Sequence, residues 1–128
     1  MDKFIIDEWL RFAQNDLEAV YHLLKFHPLQ IEIICYHCQQ SAEKDLKAFL
    51  ISKDMEDFPR THDLEKLGAL CEEYNKSFEI IRRECSRLTD YGNQPRYPFS
   101  LELTEEIMQI AIKDAEKIKE FVKGVINV

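Results

Sequence analysis

Apolar residues in this chain recur at spacings of three and four in five separate stretches, the period of helices that bury one face. In the first, predicted over about residues 7–26, Trp9 or Leu10, Ala13, Leu17, Val20, Tyr21 and Leu24 keep the period, and Pro28 stops it. Asp7 and Glu8 suit the positive end of that helix. The second, over about 29–53, carries the widest stripe: Ile31, Ile34, Cys35, Cys38, Ala42, Leu46, Phe49 and Leu50. So short a connection between the two predicts an antiparallel helical hairpin.

Residues 54–61 hold a proline among polar groups and read as a loop, after which Thr61 or Asp63 caps a third helix with Leu64, Leu67, Leu70, Cys71 and Tyr74 on its seam. Asn75 or Ser77 starts a fourth, with Phe78, Ile81, Cys85 and Leu88 in register and an end near Tyr91-Gly92. Pro95 and Pro98 make residues 92–103 the least helical segment. Thr104 caps the last helix, whose core face is Ile107, Ala111, Ala115, Ile118, Val122 and Val125. The pattern predicts an all-α, antiparallel up-and-down helical bundle of four to five helices, with residues 1–128 as a single domain and no internal repeat.

With only 3 Gly and 4 Pro, 45% hydrophobic and 32% charged residues, the composition suits long uninterrupted helices and argues against disorder. No apolar run approaches the ~20 residues of a membrane span, and the acidic start MDKFIIDEWLR does not read as a secretion signal, so a cytoplasmic protein is expected. The net charge of -7 disfavours indiscriminate nucleic-acid binding but leaves room for a local basic site. Cys35-Tyr-His-Cys38 has the spacing of redox and zinc sites. It lies on the apolar face of a helix without a second ligand pair, so all four cysteines read as reduced core residues and no metal is expected.

Di-iron bundles need Glu-x-x-His on two helices, and none occurs; nor does a glycine-rich phosphate cradle, so no cofactor is expected. What remains is a polar constellation: Gln39, Gln40, Glu43, Lys44 and Lys47 on the second helix, Arg60 and His62 after it, then Arg87, Tyr91, Arg96 and Tyr97. In the functional reading the amides recognise a base or ribose, the cations meet phosphate and Tyr97 stacks on a base. In the structural reading the amides bridge helices, Arg96 pairs with an acid and His62 caps or hydrogen-bonds a carboxylate. As catalysts, His62 and Arg96 are the candidates, supplying base and cation for metal-free RNA cleavage.

The run Cys-x-x-Cys-Gln-Gln-Ser-Ala-Glu-Lys-x-Leu-Lys-Ala, then Arg-Thr-His-Asp-Leu at 60–64 and Arg-Tyr-Pro at 96–98, resembles the HEPN domain family, named for higher eukaryotes and prokaryotes nucleotide-binding. The likeness begins at Ala13, Asp16 and Leu17 and runs to the last helix. It implies a homodimeric bundle, often produced beside a minimal nucleotidyltransferase as a toxin and antitoxin pair. Many members are metal-independent ribonucleases with an Arg followed after four to six residues by a His. This chain departs from that motif, since no His follows His62.

The reading is therefore a nucleotide- or RNA-binding accessory subunit or toxin–antitoxin component acting with a nucleotidyltransferase. The alternatives are a ribonuclease toxin with a non-standard active site and a protein-interaction module without a nucleotide site. A homodimer is expected because Trp9, Phe12, Tyr36 and Phe99 are surplus to one small core.

Overall fold

The computed structural model describes residues 3–55, 57–91 and 103–126. Among them the chain forms α1 (Lys3–Leu23), α2 (Ile31–Ser52), α3 (Leu64–Tyr74), a 3-10 turn (Lys76–Ile81), α4 (Arg82–Thr89) and α5 (Glu105–Val125), with no strand. This is the expected up-and-down bundle. Its axis is α2, which packs on α1, α3, α4 and α5.

The predicted stripe explains that position. Ile34, Cys35, Cys38, Ala42, Leu46, Phe49 and Leu50 are fully buried, and Ile31, at the first turn, is half-buried. Phe49 meets Phe78 at 4.5 Å between ring centroids, and Phe78 meets Phe121 of α5 at 4.9 Å, so one aromatic column ties three elements together. Burying each such side chain contributes about 1.5–3 kcal/mol. All four cysteines are free thiols in the core, and burial pushes each of them up, Cys35 and Cys85 to about 12.

The caps resolve the choices that sequence left open. Asp63 caps α3 by accepting from the backbone N–H groups of Glu65 and Lys66, while the Thr61 hydroxyl accepts from the N–H of Asp63. Asn75 caps the following turn by accepting from Ser77, and Thr104 caps α5 by accepting from Ile107.

Two boundaries and one seam differ from expectation. Helix α1 begins at Lys3 and ends at Leu23, because Ile6 extends the core stripe one turn earlier than Trp9 or Leu10. Asp7 and Glu8 therefore lie beyond its first turn. The fourth helix starts as a 3-10 turn, since the Asn75 cap tightens the chain before α geometry takes over at Arg82. On α3, Tyr74 is exposed and Leu70 only half-buried, so the seam there is Leu64, Leu67 and Cys71.

Candidate functional site

Helix α2 turns Gln39, Glu43 and Lys44 towards α1 and the 57–63 loop, and there two triads of the same construction appear. In the first, Asp16 of α1 accepts from His37 Nδ1 at 2.9 Å and from Lys44 Nζ at 2.7 Å. In the second, Glu43 accepts from His62 Nδ1 at 2.9 Å on one oxygen and from Lys47 Nζ at 2.8 Å on the other. Each time a buried carboxylate binds one imidazole and one ammonium.

Sequence spacing accounts for part of this. Glu43 and Lys47 are one helical turn apart, as are Gln39 and Glu43, so both pairs form within α2. Asp16 and His62 arrive from other elements. Ser41 donates to the carbonyl of Ala13 at 2.8 Å, which fixes α1 close enough for Asp16 to reach. Gln39, fully buried, donates to the carbonyl of His62 at 2.8 Å and also to Glu43, while Gln40 donates to Gln39. The loop is thus stitched to α2 by backbone as well as side chain. Phe58 of the same loop packs edge-on against Trp9 of α1, with Lys47 Nζ 5.4 and 5.8 Å from the two ring centroids.

The chemistry follows from the donor count. An ionised carboxylate only accepts, so Nδ1 of each imidazole carries the shared proton and Nε2 keeps a lone pair while the ring is neutral. Neither Nε2 has a hydrogen-bond partner among the described residues. The His62 side chain is 51% exposed and the His37 side chain 29%. The face therefore presents two oriented acceptors beside two ammonium groups, an arrangement able to meet phosphates and ribose hydroxyls.

Among the residues singled out from sequence, Gln39, Gln40, Glu43, Lys44, Lys47 and His62 come together here. Arg60 is exposed on the same loop, two residues before His62, with no partner among the described residues. Arg87 and Tyr91 are elsewhere. Arg87 makes a two-pronged pair with Asp114 of α5 at 2.7 and 2.8 Å, so its guanidinium is committed to joining α4 to α5. Tyr91 is buried, and burial together with the nearby carboxylates of Asp114 and Asp90 pushes its hydroxyl up to about 12, which removes it as a base at neutral pH. Arg96 and Tyr97 lie outside the described residues. Sequence reading missed Asp16 and the role of His37; an Asp at a core-facing position of a helix was the available signal for the first.

The sequence profile of the HEPN domain matches residues 6–125. The crystal structure of an archaeal HEPN homologue is similar, with a TM-score of 0.73 and 25% identity, covering 99% of this chain and 100% of that one. No curated protein matches.

Proposed function

This chain belongs to the HEPN domain family, and on that premise we propose that it is a nucleotide- or RNA-binding protein whose contact surface is the polar face of α2. The observation that carries the reading is the pair of triads, which hold His37 and His62 by Nδ1 and leave Nε2 of each without a partner among the described residues. Arg60 adds a cation on the same side, and Arg96 and Tyr97 belong to the proposal on sequence grounds alone. The protein acts as an accessory subunit or toxin–antitoxin component beside a nucleotidyltransferase, and it works as a homodimer in the cytoplasm. The exposed Ile5 and Phe12, which line an apolar groove of about 450 Å³ with Trp9, support the dimer.

Labelled short RNA tests the reading directly. Titration should show binding that weakens steeply with salt, and Lys44→Ala or Lys47→Ala should weaken it further. Absence of any binding at low salt would leave the interaction module as the surviving alternative.

The same triads favour a second reading, metal-independent cleavage of RNA, because a neutral imidazole held at Nδ1 is placed to take a proton at Nε2. RNA cut in the presence of a chelator, with the activity lost in His37→Gln or His62→Gln, would establish it. Intact RNA under those conditions keeps the binding role.

A further inference from the structure

Helix α3 begins where the loop that carries His62 ends, and the N–H groups that open a helix find no partner within it. Three of those at the start of α3 are served from the segment itself, since Thr61 accepts from Asp63, and Asp63 from Glu65 and Lys66. The remaining one belongs to Leu64, which is fully buried and out of reach of water. It is met from another helix, by the hydroxyl oxygen of Thr89 in the last turn of α4 at 3.1 Å. That hydroxyl gives its own proton to the carbonyl of Cys85 at 2.9 Å, which leaves its oxygen to accept.

Both peptide groups that flank Asp63 are thereby held at each end. The carbonyl of His62 accepts from Gln39 of α2, and the N–H of Asp63 donates to Thr61. Beyond them, the carbonyl of Asp63 accepts from Leu67, and the N–H of Leu64 donates to Thr89. Only Gln39 and Thr89 come from outside the segment. Because a peptide group is planar, anchoring both of its ends sets the direction in which the chain leaves His62. The anchor on α4 is itself fixed, as Arg87 pairs with Asp114 and Lys117 with Glu84 to hold that helix on α5.

We propose that Thr89 is a positioning residue for His62: through the Leu64 N–H it keeps the loop where His62 Nδ1 rests on Glu43 and Nε2 stays available. His37 is the natural control, for it reaches Asp16 directly from α2 and its triad draws only on α1 and α2. The inference rests on the α2-face reading above and adds to it a residue from a helix outside both triads.

Two-bond proton–nitrogen spectra of the full chain, taken where the imidazoles are neutral, read the tautomer of each histidine. In the unaltered protein His37 and His62 should both carry the proton on Nδ1. Thr89→Val keeps the shape of the side chain and removes the acceptor. The ratio of Nδ1–H to Nε2–H forms of His62 should then fall by about fivefold, the worth of one ordinary hydrogen bond, and the Leu64 amide should exchange faster by a similar factor. His37 should not move, and Thr89→Ser, which restores the oxygen, should return His62 to its original form. If the Val variant does not fold, Thr89→Cys, with a weaker acceptor of similar size, should show the same change in smaller measure. A His62 tautomer unmoved in a folded Val or Cys variant, or one that changes together with His37, would overturn the positioning role and leave the α2-face reading standing. A His62 without its Nδ1 proton in the unaltered protein would remove the triad itself, and both would fall.

Discussion

On the α2 face the imidazoles of His37 and His62 and the ammonium groups of Lys44 and Lys47 all end on a buried carboxylate, so the carboxylates are saturated and what remains unused is imidazole Nε2. Between α3 and α4 the same residue classes meet, but there Arg82 pairs with Glu72 at the surface and the exposed Arg83 has no partner among the described residues. Burial decides what each network contributes. A carboxylate sealed by its own partners orients them at high energetic stakes, whereas an exposed arginine paired at the surface is tied loosely and contributes little.

Removing a saturated carboxylate should break that contrast most severely. Glu43→Ala leaves Lys47 and His62 without their acceptor and takes away a partner of Gln39, so denaturant unfolding should show a loss of about 3 kcal/mol. A smaller effect comes from a buried carboxylate that keeps one oxygen without a partner. Asp45 of α2 pairs with Lys119 of α5 at 3.1 Å, and its Oδ2 has no partner. Burial outweighs the pull of Lys119 and Lys123 and raises the Asp45 carboxyl to about 6. A carboxyl raised in the folded state favours folding when protonated. Its contribution is therefore complete below the ordinary value near 3.8 and is lost as pH rises through about 6. Thermal unfolding from pH 4 to 7 should show that decline relative to Asp45→Leu/Lys119→Met, which lacks both groups and should be at least as stable at neutral pH.

Lys44→Ala should act mainly on binding, lowering the salt dependence of RNA affinity by about one in slope while the protein stays folded. Smallest of all, Arg82→Ala removes an exposed pair with Glu72, and thermal unfolding should not register it. A clear loss there would erase the distinction between the two regions.

Helical period made the bundle legible, since the stripes of α2 and α5 depend only on residues three and four apart. The start of α1 and the 3-10 turn before α4 were not legible, because tertiary burial of Ile6 and the Asn75 cap decide them. Within the candidate site, the polar line of α2 and His62 could be read from sequence, as local spacing and a helix-start position mark them. Asp16, Asp45, Glu84 and Asp114 could not be assigned, because each carboxylate finds its partner across helices, at separations the chain does not advertise. Arg87 and Tyr91 looked like site residues for the same reason: only the packed bundle reveals that one is tied to Asp114 and the other is buried.

The most direct test of the α2 face as the nucleic-acid surface is amide shift mapping with a short oligouridylate at low salt. The account predicts saturable shifts at His37, Gln40, Lys44, Arg60 and His62, with Gly68 and Ser86 unmoved and the shifts fading as salt is added. Shifts absent from α2, or confined to α3 and α4, would contradict it.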